Sequence, residues 1–116
     1  MDITETEFPG GGAGARVAVV TGRLDSATAP AAEARFAALL ASPFGRPLVV
    51  DLEGVPYASS AGLRALLKAA RQAQAAGIAF ALAAPQPQVK EVLQVSGFDQ
   101  IVTIAPTREA AAAKLA

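Results

Sequence analysis

The sequence predicts an α/β fold: a mixed sheet of four or five strands with about four helices packed mainly on one side. Three observations carry this. From Pro47 onward, β-rich and helical segments alternate strand–helix–strand–helix–strand–helix, as βαβ crossovers require. "PLVVDLEG" (Pro47 to Gly54) is a continuous apolar run between turn signals, the pattern of a strand covered on both faces. The chain has 116 residues, the size of one domain, and neither linker nor internal repeat divides residues 1–116.

The elements follow in order. "DITETEF" alternates weakly and is placed to pair with "RVAVVTG" (Arg16 to Gly22), a β-rich run that ends at a glycine. The intervening "PGGGAGA" is too loose to fix a tight hairpin. Ala32, Phe36, Leu39 and Leu40 share one helical face, with Thr28 or Ser26 as N-cap and Pro30 in the first turn. After "PLVVDLEG", Leu63, Leu66, Leu67 and Ala70 recur at helical spacing, and Gly77 supplies the stop. Leu63, Leu66 and Leu67 are therefore expected in the core, and Arg64, Lys68 and Arg71 on the opposite, solvated face. "IAFALAA" (Ile78 to Ala84) and "QIVTIA" (Gln100 to Ala105) read as short strands. Between them, Val89, Val92 and Leu93 form a stripe after Pro87, stopped by Gly97. Thr107 caps a last helix ending near Leu115.

Composition excludes several functions. Ten acidic and ten basic residues cancel, so no bulk positive charge recommends nucleic acid as a partner. Without Cys there are no disulfides, thiolate metal sites or thiol nucleophiles; without His the commonest general base and metal ligand is missing. No catalytic residue, cofactor or metal is expected. Neither an apolar run of about 18 residues nor a hydrophobic leader is visible, so the chain reads as cytoplasmic, with no membrane insertion. A quarter of the residues are Ala, which bury little area each, so the core must rest on scattered Val, Leu, Ile and Phe.

Chemistry in such sheets sits at the carboxyl ends of the strands. "PYASSAGLR" (Pro56 to Arg64) lies there, at a helix start, with Ser59 or Ser60 as N-cap. Free N–H groups and the positive end of the helix dipole favour an anion, including a phosphate on the serine itself, although a cap alone accounts for a serine at that place. "GRLDSAT" (Gly22 to Thr28) is the turn after the preceding strand and can bring Asp25 beside the serines; an Asx-turn accounts for it equally. Asp51, in "LVVD", is either a carboxylate at a functional edge or an acceptor for neighbouring backbone N–H groups. Arg64, Lys68 and Arg71 are either a solvated face or a docking patch for an acidic partner. "SSAG" lacks the glycine that a nucleophile elbow places two residues before its serine, and "GGGAGA" lacks the spacing of a dinucleotide loop.

From about Val17 to the last helix, the sequence resembles the STAS domain family, whose stand-alone bacterial members are anti-sigma factor antagonists. "LVVDLEGVPYASSAGLRALL" looks like the family's strand, loop and phosphorylatable-serine helix, "GRLDSATAP" like its first strand-to-helix turn, and "VKEVLQVSGFDQIVTI" like its third helix and last strand. The resemblance implies a phosphoprotein that switches partners in signal transduction and transcription regulation, and not an enzyme. The unmodified domain binds an ATP-binding anti-sigma factor that is also a serine kinase, and so frees its client. Phosphorylation ends the binding, and a serine phosphatase resets it. The motif register puts the phosphoacceptor on Ser60. Ser59 stands where the family has Asp, and Asp25 where it has an acidic residue near the partner surface. Ser59, Ser60, Ala61, Gly62, Leu63, Arg64, Lys68 and Asp25 are the implied partner-binding set. Gly62, lacking a side chain, is expected to let a kinase approach the helix start. A monomer is expected. Alternatives are a STAS adaptor of a lipid-transport complex that is never phosphorylated, a response-regulator-like phosphoacceptor modified on Asp51, and an enzyme using Asp25 with Asp51 as an acid–base pair.

Overall fold

Alternation along the strands decides the architecture. In the central strand, Leu48, Val50 and Leu52 point to one face, and Val49 and Asp51 to the other; all five are buried. Both faces of that strand must therefore be covered, and they are. The computed structural model describes residues 1–8, 14–41 and 45–115. Five strands, β1 (Asp2–Glu7), β2 (Arg16–Thr21), β3 (Leu48–Gly54), β4 (Phe80–Ala83) and β5 (Thr103–Ala105), lie in the order β1-β2-β3-β4-β5. β1 is antiparallel to β2, and the other pairs are parallel. The glycine-rich connection at residues 9–13 lies outside the described residues.

Helices α1 (Ala29–Leu40), α2 (Ser60–Ala76) and α3 (Pro87–Val95) cross over between successive parallel strands. The strand order steps in one direction throughout, so crossovers of one hand put all three helices on one face. Their core joins Phe36, Leu39, Leu66, Val89 and Leu93 to the sheet residues Val20, Val50, Leu52 and Leu82. The last helix, α4 (Arg108–Leu115), lies on the other face, where Ala111 and Ala112 meet Val17, Val49, Ala81 and Ala105. The mixed sheet and the mainly one-sided helices agree with the sequence reading. So do Gly77 in the left-handed conformation after α2 (φ 70°) and the Thr107 hydroxyl accepting from the Ala110 N–H at 3.0 Å.

Two expectations need correction. Leu66 is buried, but Leu63 and Leu67 are only half-buried. The buried stripe of α2 is Gly62, Ala65, Leu66, Ala69, Ala70 and Ala73, and small residues let the helix lie close against α1 and the sheet. The two leucines stand at its margin. The last strand is also shorter than read: Phe98–Gln100 form a turn of 3₁₀-helix, and pairing with β4 begins only at Thr103. Arg64, Lys68 and Arg71 are exposed, as expected.

Candidate functional site

Beyond the ends of β2 and β3 the backbone ladder continues into two loops. The Gly22 N–H donates to the Gly54 carbonyl at 2.9 Å, Leu24 N–H to the Tyr57 carbonyl at 3.0 Å, and Ser59 N–H to the Leu24 carbonyl at 2.8 Å. Leu24 and Ala58 form an isolated parallel bridge, and both are buried. The Asp25 turn and the serine loop thus form one unit, as their place at a common sheet edge requires.

Gly62 makes this contact feasible. A β-carbon there would lie 2.3 Å from the Leu24 carbonyl oxygen. Gly62 is buried, so its missing side chain admits Leu24, and the expected access for a kinase is corrected on that ground.

The two serines have separate tasks. Ser59 has extended backbone angles (φ −94°, ψ 177°), and its Oγ accepts from the Gly62 N–H at 3.4 Å, which makes it the N-cap of α2. Ser60 is the first residue of the helix and is exposed. Ala61 is half-buried beside it.

Asp25 is half-exposed and braces its own turn. Its Oδ1 accepts from the N–H groups of Ala27 (3.0 Å) and Thr28 (3.2 Å), its own N–H donates to Thr28 Oγ1 (3.0 Å), and that hydroxyl donates to the Arg23 carbonyl (2.8 Å). Desolvation pushes the carboxyl up, but the Thr28 N–H, the Arg23 guanidinium, the Ala27 N–H and the Thr28 hydroxyl together hold it below its ordinary value. Arg23 stacks over the Tyr57 ring at 4.4 Å while its Nε lies 3.4 Å from Asp25 Oδ2, joining the two loops at the surface.

Three contributors escape sequence reasoning. Arg23 is one. The others are Gln86, whose Nε2 donates to the Glu53 carbonyl at 2.6 Å, and Gln88, whose Oε1 accepts from the Ala58 N–H at 3.2 Å. They tie the start of α3 to the end of β3 and to the serine loop. The available signal was "PQPQ" directly after β4, at the same sheet edge.

The remaining candidates part company. Lys68 points toward α1, its Nζ 3.3 Å from Glu33 Oε2, whereas Arg64 and Arg71 line clefts on the far side of α2. Asp51 is 2% exposed, accepts from the Glu53 N–H at 2.9 Å and pairs with Arg108 Nε at 2.5 Å beneath α4. A carboxylate so enclosed and neutralised is closed to phosphoryl transfer. The alternative that makes Asp51 the phosphoacceptor is corrected, and so is its pairing with Asp25, since Asp51 faces α4 while Asp25 belongs to the serine edge. Among the described residues, no group of three or more Asp and Glu side chains is placed to hold a metal ion, and no helix is long and apolar enough to cross a membrane.

In this mixed sheet two loops converge on a helix-start serine. The family model of the STAS domain matches residues 12–111. The chain belongs to the STAS domain family. It is 40% identical over 100 residues, 86% of this chain and 85% of the relative, to BtrV of Bordetella bronchiseptica, which is named as an anti-sigma factor antagonist. The fold is similar to that of an anti-sigma-factor antagonist (STAS) domain protein from Planctomyces limnophilus, with a TM-score of 0.84 at 24% identity over 99% of this chain and 98% of that one. It is also similar to the anti-sigma factor antagonist SpoIIAA. The unphosphorylated form superposes with a TM-score of 0.72 at 20% identity over 98% of this chain and 96% of that one. The phosphorylated Bacillus form gives 0.66 at 19% over 99% and 100%.

Proposed function

We propose that this chain is an anti-sigma factor antagonist of a partner-switching pathway, regulated by phosphorylation of Ser60. The single observation that carries the reading is the division of labour between the serines: Ser59 Oγ is occupied as the cap, whereas Ser60 is exposed at the head of α2, on the edge that carries Asp25. The 40% identity to a protein named as an anti-sigma factor antagonist supports it.

In this reading the unmodified chain binds, in the cytoplasm, an ATP-binding anti-sigma factor that is also a serine kinase, and frees that partner's client. The chain is substrate and binding module, not enzyme. Transfer of the γ-phosphoryl group from ATP to Ser60 Oγ releases ADP and the hydroxyl proton. The phosphoserine carries about −1.5 to −2 charges at neutral pH and three acceptor oxygens. At a helix N-terminus it is tolerated by its own domain. Inside an interface built around a neutral hydroxyl it is a desolvated charge, costing several kcal/mol if unpaired, and each ~1.4 kcal/mol is about tenfold in affinity. One modification therefore suffices to release the partner, and a serine phosphatase restores the hydroxyl.

The test is incubation with ATP and the purified anti-sigma kinase that binds the chain, read by intact mass and fragment spectra. One phosphate on Ser60 is expected. Ser60→Ala should bind and take up none, and Ser60→Asp should bind weakly. Phosphate on Ser59, or none on the wild-type chain with a kinase that binds it, would overturn the assignment.

A further inference from the structure

Along the side of α2 away from α1 runs a groove, apolar near the serine end and mixed polar and apolar further along. Near the serine end it is a cleft of about 120 Å³ formed by Leu63, Leu67 and Phe98, and it continues past Ala70 into a second cleft of about 270 Å³ floored by Ile78 and Phe80. Ile101 borders both clefts and is 59% exposed, so the two clefts share one accessible apolar side chain. Leu63 and Leu67 pack against the core with one side and line this groove with the other, which leaves them half-buried.

The charge of the rim is one-sided. Arg64 and Arg71 are the only ionisable side chains lining the two clefts, and neither has an ion-pair partner among the described residues. Lys68 shares the exposed crest of α2 with them but leans toward α1, where Glu33 answers its ammonium. From Leu63 to Gln74 the groove follows α2 for about 16 Å, roughly three helical turns. A second helix laid along it would present anchors at i, i+4 and i+7.

We propose that this groove receives an acidic amphipathic helix of the partner protein, whose apolar side chains cover Leu63, Leu67, Phe98 and Ile101 and whose carboxylates meet Arg64 and Arg71. The nearer cleft lies beside the first turns of α2, and Arg64, which lines it, stands four residues after Ser60 on the same helix face. A phosphate on Ser60 would compete with the partner's carboxylate for that guanidinium. This deepens the reading of Ser60 as the switch and rests on it for the partner's identity.

The test needs neither kinase nor ATP, so its failure is separable from failure of Ser60 phosphorylation. Two synthetic helical peptides with the same Leu/Phe face, one flanked by Glu and one by Lys, are titrated into the ¹⁵N-labelled full chain. The Glu peptide should bind at least tenfold tighter, with shifts gathered on Leu63, Leu67, Phe98 and Ile101. Arg64→Glu combined with Arg71→Glu should reverse the preference, Ile101→Asp should abolish both interactions, and Lys68→Glu should change affinity less than twofold. These substitutions are at exposed positions, and the unliganded spectra report whether the fold is kept. Equal affinities, shifts centred elsewhere, or the same shifts produced by protein concentration alone, which would make a second copy the occupant, would each overturn the proposal.

Discussion

Asp25 and Asp51 began as candidates for the same chemistry, and the structure gives them opposite occupations. Asp25 is half-exposed, folds its own turn and carries it against the serine loop. Asp51 is sealed beneath α4, paired with Arg108 and itself out of a partner's reach. One carboxylate shapes a surface, and the other fastens a helix. The difference comes from the sheet faces. The α1–α3 face is filled with Leu, Val and Phe, and there the buried Arg16 donates to the Leu39 carbonyl at the end of α1 at 2.7 Å; the α4 face is lined mainly by Ala and Val, and a short Ala-rich helix buries little area there. The Asp51–Arg108 pair adds orientation where the apolar contact is small.

The largest effect expected from breaking this contrast is on stability at the α4 face. Arg108→Leu leaves the Asp51 carboxylate buried without its cation and should cost about 3 kcal/mol, seen as a lower denaturation midpoint at unchanged slope. Joint replacement, Asp51→Leu with Arg108→Leu, should recover much of the loss. Ser60 phosphorylation should be unchanged in whichever of these variants folds. A phosphorylation defect in a folded variant would mean that the α4 face and the serine edge are coupled.

Next comes Gly62→Ala. The added carbon meets backbone, not a flexible side chain, so loop and helix must separate, at a cost of about 1–3 kcal/mol. Unlike the Arg108 variant, it should also disturb Ser60, because the Asp25 turn and the head of α2 move apart. Chemical shifts of Leu24, Ala58 and Ser59 should report this. A Gly62→Ala chain with wild-type stability and wild-type shifts would show that the approach of Leu24 is not what glycine serves.

How far the sequence reveals these roles depends on the range of the interaction. The β3 run, the stop at Gly77 and the cap by Thr107 are local patterns, and they read correctly. The Ser60 register came from a contiguous motif. Arg108, which occupies Asp51, is 57 residues away in sequence, and no local pattern joins them. Gln88 meets Ala58 across 30 residues, and Gly62 meets Leu24 through a carbonyl that every residue has. The leucines of α2 misled for a different reason. Hydrophobicity marked Leu63 and Leu67 as core, but close packing selected the alanines, and the larger side chains were left at the groove.

A smaller effect belongs to the cap. Ser59→Ala removes the acceptor for the Gly62 N–H and should lower stability by about 1 kcal/mol, while Ser60 still takes up phosphate. Ser59→Asp restores an acceptor with a charge that suits a helix N-terminus and should regain the loss. Thermal midpoints of the two variants check both statements, and a midpoint for Ser59→Ala equal to wild type would leave the cap without energetic weight.

The smallest effect tests the Asp25 turn itself. Its carboxyl is held below its ordinary value because the ionised form accepts from two backbone N–H groups and faces Arg23. A group whose folded pKa is depressed adds stability that is present above its unfolded value and is lost as pH falls through the folded one. The turn should therefore keep its bonds at neutral and mildly acidic pH and loosen only below the ordinary aspartate value of 3.8. The amide protons of Ala27 and Thr28 report on this directly, and their shifts should titrate together with a midpoint under that value. Asp25→Asn keeps an oxygen acceptor for both N–H groups but has no proton to gain at that pH, so the turn should persist and the acid transition of the two amides should vanish. A midpoint at or above 3.8 in the wild-type chain would mean that desolvation outweighs the hydrogen bonds, and the turn would then be an exposed loop with no electrostatic bracing.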